Sequence, residues 1–206
     1  MIRFLPISLC LLLFLACAAP QYSTSTRQKS PASITVNSYF VDTSTVVTYR
    51  AVLDLAQQQI TGTLVIRTYN DEQRRVALLS DMGQTLFDIS VFKEEHVVNT
   101  ILPAMDKKFL TSELANIFRV LTQPYNTHFV MQSSVDTAQV YEVKLKKRSN
   151  YYHYQNDILK RIHQVGKRKP RLNIDFFSTS PLPQQITLLH SRFPLRISLS
   201  LQNDNL

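Results

Sequence analysis

Five histidines, His96, His128, His153, His163 and His190, are the residues to weigh first for metal or proton chemistry. No two stand at the H-x-x-x-H spacing that brings two imidazoles onto one helix face, so structural or surface roles are expected and no metal site. Asp54, Asp71, Glu72, Asp81 and Asp88 supply carboxylates, but nothing in their placement pairs two of them for acid–base work. The chain has no G-x-S-x-G elbow, no phosphate loop and no dinucleotide fingerprint. Its 3 glycines in 206 residues, Gly62, Gly83 and Gly166, hardly allow one. The expectation is a protein that is not an enzyme and needs no cofactor.

Cysteine is the residue type that does point to chemistry. The chain has two, Cys10 inside an apolar N-terminal run and Cys17 at its end. That run carries one basic residue, Arg3, and is too short and wrongly flanked to span a bilayer, so residues 1–16 read as a secretory signal. The sequence Phe14-Leu15-Ala16-Cys17 resembles a bacterial lipobox. The resemblance implies diacylglyceryl attachment to the Cys17 thiol, cleavage before it and acylation of the new amine. An ordinary signal peptide cut near Ala18–Ala19 is the alternative. With Cys17 alone in the mature chain, no disulfide and no cysteine metal site are expected, and a lipid attachment point is the natural use of the thiol. Two or more acyl chains would anchor it firmly, at about 0.8 kcal/mol per buried CH₂. Residues 17–33, small and polar with two prolines, read as a lipidated flexible tether, and 34–206 as one domain. Ala18, at a position where Asp tends to retain lipoproteins in the inner membrane, favours the outer membrane, facing the periplasm.

The elements that would have to position a site are clearest between Ile60 and Leu121. Ile60, Gly62, Leu64 and Ile66 alternate with Thr61, Thr63 and Arg67; Phe87, Ile89 and Val91 alternate with Asp88 and Ser90. A period of two with one apolar face marks half-buried strands. Gly83 supplies the positive φ for a tight Asp81-Met82-Gly83-Gln84 turn. Leu110, Leu114, Ile117, Phe118 and Leu121 form a one-sided helical stripe, with Asp106 expected to cap its start. Further strand-like stretches are 34–40, 45–55, 128–133, 139–147, 150–165, 171–177, 184–190 and 195–202. Many short strands with one helix predict a mainly β domain of antiparallel type.

Charge is the other signal. Removing residues 1–16 takes Arg3 alone from 23 Lys and Arg, against 15 Asp and Glu, so the mature chain carries +7. The excess gathers at Lys144–Arg148, Lys160-Arg161 and Lys167–Arg171, interleaved with Tyr151, Tyr152 and Tyr154. An exported, tethered protein has little occasion to meet nucleic acid, so none is expected as a partner. Attraction to anionic lipid head groups and plain solvation of hairpin turns both account for the runs.

The order of signal, tether, antiparallel strands, SDMGQTL turn, strand and DKKFLTSELANIFRVL helix resembles the LolA/LolB-type lipoprotein carriers and receptors, over about Val52 to Leu121. The resemblance implies an unclosed antiparallel β-barrel with one or two covering helices and a hydrophobic cavity. It also implies binding of acyl chains, lipids or lipoproteins. Met82 stands where LolB-like proteins carry a protruding apolar residue that helps pass cargo to the membrane. Leu64, Ile66, Phe87, Ile89 and Phe118 are the expected cavity lining. The expected protein is a lipid-anchored envelope monomer with lipid or lipoprotein cargo. Its rival is a structural or assembly lipoprotein that docks a protein partner and carries no ligand; a lipid hydrolase is a third reading, for which no nucleophile is found.

Overall fold

The computed structural model describes residues 27–132, 138–145, 147–167, 169–179 and 181–202. The expected signal segment, Cys17 and the expected tether as far as residue 26 lie outside them. In chain order the strands are β1 (Arg27–Val36), β2 (Val46–Leu55), β3 (Gln58–Thr68), β4 (Arg74–Ser80), β5 (Thr85–Val91) and β6 (His96–Ile101). After a short 3₁₀ turn at Pro103–Met105 and helix α1 (Lys108–Thr122) come β7 (Tyr125–Gln132), β8 (Ala138–Leu145) and β9 (Arg148–Gln155). The chain closes with β10 (Ile158–Gly166), β11 (Lys169–Thr179), β12 (Pro183–His190) and β13 (Leu195–Leu201).

Among the described residues 13 strands form one sheet, in the order β1-β7-β8-β9-β10-β11-β12-β13-β2-β3-β4-β5-β6. Two up-and-down meanders, β2 to β6 and β7 to β13, are joined where Leu195–Leu201 runs antiparallel to Tyr49–Leu55. β1 and β6 are the two ends and do not pair with each other, so the expected mainly β, unclosed antiparallel architecture is what the chain adopts. The alternation read from the sequence sets the faces. Leu64 and Ile66 of β3, Val76 and Leu78 of β4, and Leu195, Ile197 and Leu199 of β13 all turn inward and are buried. Gly62 faces Ser80 across the ladder, and a Cβ there would meet the Leu79 carbonyl oxygen at 2.0 Å. Only glycine permits that approach.

Helix α1 is buried on nearly every side: Leu110, Leu114, Ile117, Phe118 and Leu121 on the expected stripe, but also Glu113, Asn116 and Val120 beside it. It touches β5 on one side and β9 to β12 on the other, strands far apart in the sheet order. One helix can meet both only if the sheet curls round it. The first turn is the part left open, with residues 106–109 exposed, so water satisfies its free N–H groups and the Asp106 cap is not made. Lys107 occupies the N-cap position with no side-chain hydrogen bond.

Three sequence expectations are redrawn. Residues 27–33, expected as the end of a tether, belong to β1: Arg27 lies opposite Met131 and Lys29 opposite Phe129, and after a register shift the pairing with β7 resumes at Ile34. Polar composition does not prevent ladder bonds at a sheet edge. The single 150–165 stretch is two strands, folded at Asn156 and Asp157, which take φ of 51° and 59°. Paired positive φ values make the tight hairpin turn that matches strand twist. Similarly, the 34–40 stretch is strand only to Val36; Asn37, at φ 62°, turns the chain away.

Candidate functional site

The sheet brings together the five side chains expected to line a cavity. Leu64, Ile66, Phe87, Ile89 and Phe118 are each 0–1% exposed in one continuous core. Phe87 and Phe118 lie ring to ring, centroids 5.4 Å apart at 38°. Helix α1 occupies the space these residues enclose. Any guest on this apolar face takes the place of the helix or enters beside it.

Two kinds of contact hold the helix in place. Toward the middle of β5 it is apolar, Phe118 on Phe87, and at the end of that strand Arg119 donates to Phe92 O at 2.6 Å and Glu95 O at 2.8 Å. Toward β9–β12 it is polar, built on Glu113, a residue the sequence reading passed over. Its Oε1 accepts from Arg171 Nη2 at 2.6 Å and Arg148 Nη2 at 3.1 Å, and its Oε2 lies 3.3 Å from His190 Nε2. The Arg192 backbone N–H donates to His190 Nδ1, so the ring proton sits on Nε2 and points at the carboxylate. Burial by itself pushes the Glu113 carboxyl up. The His190 hydrogen bond and the Arg148 and Arg171 charges outweigh it and bring the group from 4.5 to about 2. A turn further on, Asn116 Nδ2 donates to Gln164 Oε1 at 3.0 Å, and Gln164 donates to Asn150 Oδ1 at 2.9 Å.

This network absorbs part of the basic excess that the sequence suggested for lipid head groups. Arg148 and Arg171 turn inward to Glu113, and Arg161 pairs with Asp175 at 2.5 Å. Lys144, Lys147, Lys167 and Lys169 remain exposed, the last three around the β8–β9 and β10–β11 hairpin turns. Of the interleaved tyrosines, Tyr152 is buried and Tyr154 accepts the Asn37 backbone N–H at 3.1 Å. They are core and bracing residues.

The β4–β5 turn presents Met82 at 97% exposure. The turn itself is fastened. Gly83 N donates to Ser80 O at 2.9 Å with φ +78°, and the Asp81 carboxylate takes Thr61 at 2.6 Å and a two-pronged bond from Arg50. A flexible thioether thus stands on a rigid tip. Phe109, in the first turn of α1, is also exposed, its ring edge-on to Phe193 at 5.6 Å.

No group of three or more His, Cys, Asp or Glu side chains that could hold a metal occurs among the described residues, and no described helix is long and apolar enough to cross a membrane. No protein-family model matches the chain. No curated protein matches it. Among solved structures it is similar to a LolA superfamily protein from Nitrosomonas europaea. The TM-score is 0.49 and the identity 10%, over 77% of this chain and 83% of that one.

Proposed function

We propose that this protein is a lipid-anchored bacterial envelope protein that shelters an acyl chain, as lipid or lipoprotein, between its curled sheet and helix α1. The observation that carries the reading is that the helix buries apolar side chains against the sheet, Phe118 on Phe87 among them, and is held by only a few polar bonds, at Glu113, Asn116 and Arg119. Exchanging an apolar helix face for an apolar guest leaves the burial of the sheet nearly constant. The rigid turn that presents Met82 supports hand-over to a membrane, and the exposed lysines around the β8–β9 and β10–β11 turns suit an anionic lipid surface. A second reading has its own support. The 0–1% exposure of the five interior residues suits an assembly lipoprotein whose interior is filled by its own side chains.

Two experiments test the first reading. In the first, Met82→Glu is expected to leave the melting temperature nearly unchanged, since a surface substitution away from special features usually stays within about 0.5 kcal/mol. It is expected to slow transfer of bound lipid to acceptor liposomes, because a carboxylate at the tip resists entering hydrocarbon. Transfer at the parental rate would remove the role assigned to this turn. In the second, Cys17→Ser should move the protein from the membrane fraction to the soluble envelope fraction and abolish labelling by radioactive palmitate. Labelling that persists would end the lipid-anchor reading. The outer-membrane, periplasm-facing location belongs to the same proposal and is read by fractionating the two membranes.

A further inference from the structure

Arg74 opens β4 and is completely buried on its inward face. Its Nη1 donates to Asn70 O at 2.9 Å and to Gln123 Oε1 at 3.1 Å. Its Nε and Nη2 are buried and make no hydrogen bond, and neither does the buried hydroxyl of Tyr125 at the start of β7. The phenol and the Arg74 guanidinium act on each other electrostatically, and Arg119 acts on the same phenol. Nε and Nη2 form the side edge of a guanidinium, two parallel donors spaced for the two oxygens of a carboxylate. Buried donors without an acceptor are costly, so the Arg74 edge is suited to an oxyanion, and the Tyr125 hydroxyl, two residues beyond the Gln123 that Arg74 holds, is a third free donor at the same end of α1.

The apolar half of the site adjoins it. Arg74 pairs across the ladder with Thr68, whose hydroxyl donates to Phe40 O at 2.8 Å. Phe40 and Thr68 line a cavity of about 340 Å³, walled further by Val47, Ile66 and Leu182. Its volume is within the usual range for a small-molecule pocket, roughly 300–1,000 Å³. Val41 lines this cavity and also a neighbouring one of about 450 Å³ that includes Tyr125 and Lys93. The charges around the donors leave room for a single anion. Arg74, Arg119 and Lys93 are opposed by Asp71 and Glu94. The last carbonyls of α1, which would repel an anion, are taken up by Asn37 Nδ2, which donates to Val120 O, Leu121 O and Gln123 O.

We propose that this end of the interior binds a long-chain carboxylate, its head group on Arg74 Nε and Nη2 and the Tyr125 hydroxyl, its chain in the cavity beside Ile66. The inference rests on the reading that the protein shelters an acyl chain and narrows it to a free acid, as opposed to an acyl group bound as ester or amide. The test titrates delipidated protein with palmitate and with hexadecanol, which has the same chain and no charge. Palmitate is expected to bind about ten- to a hundredfold more tightly, the size of a charge-assisted contact. Tyr125→Phe is expected to weaken palmitate about tenfold, leave hexadecanol unchanged and leave the melting temperature unchanged, because the hydroxyl it removes has no partner to lose. Arg74→Met should abolish the preference for palmitate. Equal affinity for the two ligands would overturn the carboxylate site while leaving the acyl-chain reading intact. A preference that survives both substitutions would mean that the buried donors hold ordered water only, and would overturn it as well. Binding of neither ligand would sink both readings together.

Discussion

Glu113→Ala is expected to lower the unfolding free energy by about 3–5 kcal/mol, the cost of breaking a buried ion pair by removing one partner. Among the described residues Glu113 is the carboxylate paired with both Arg148 and Arg171, which donate to the same oxygen at 3.1 and 2.6 Å. Without it two guanidiniums face each other in a site where water is scarce, and His190 loses the acceptor of its ring proton. Urea unfolding with an unchanged m-value would report the loss. Glu113→Gln keeps the shape and one acceptor oxygen, so its loss should be smaller. A change below about 1 kcal/mol in the alanine variant would place this cluster among ordinary surface pairs and remove the polar attachment of α1 from the account of function.

The same residue sets part of the acid sensitivity. The Glu113 pKa is depressed in the folded protein, from 4.5 to about 2, so its stabilisation is fully present above 4.5 and is lost as pH falls through that window. His153 acts higher on the scale. Burial, with the nearby His163 and Arg161, holds its ring down to about 4, so the unfolded chain takes up the proton first. Stability is therefore lost between about 6.5 and 4 as the solution is acidified. Acid unfolding of Glu113→Gln should keep the His153 phase and shrink the lower one, to which Asp81 and Asp88, held down by Arg50 and Arg75, still contribute.

Much of the fold was legible because it is periodic. The Leu195–Leu201 alternation, the β3 and β5 faces and the α1 stripe each follow from local spacing, and each is found with the predicted side inward. The Gly83 turn was legible because one residue type solves one backbone requirement. The polar attachment was not. Glu113 meets Arg148, Arg171 and His190 across 35, 58 and 77 residues of chain, and no local pattern encodes such pairings. A trace was present. Val120 shares the face of Glu113 and Asn116 at helical spacing, which is odd for a solvated side, and the hairpin arginines had no acidic neighbours in sequence. The β9–β10 hairpin was missed because its Asn156-Asp157 turn carries neither glycine nor proline to mark it. The first part of β1, before Ile34, was missed because its order comes from β7, about a hundred residues later.

Phe87→Ala is expected to be as damaging as the loss of Glu113, about 3–5 kcal/mol, for a different reason. The ring is fully buried on β5, tilted against Phe118 of α1, with Leu78 its ladder partner on β4. Truncation removes transfer free energy and leaves a void that the ladder bonds of β4 and β6 on either side keep from collapsing. What happens to ligand binding then separates the two functional readings. A void lined by Leu78, Ile89 and Phe118 stays dry and takes small apolar guests, so benzene should stabilise the variant and not the parent under either reading. A long-chain apolar dye behaves differently. If the parent protein shelters acyl chains under α1, it binds the dye before any mutation, and Phe87→Ala alters that affinity because the ring is part of the surface the chain would touch. If the interior is permanently filled, the parent ignores the dye and the variant gains at most the small guest. Dye binding by the parent, displaced by fatty acid and changed by Phe87→Ala, is the expected outcome. A large stability loss with no dye bound by the parent would leave the assembly lipoprotein as the reading that stands.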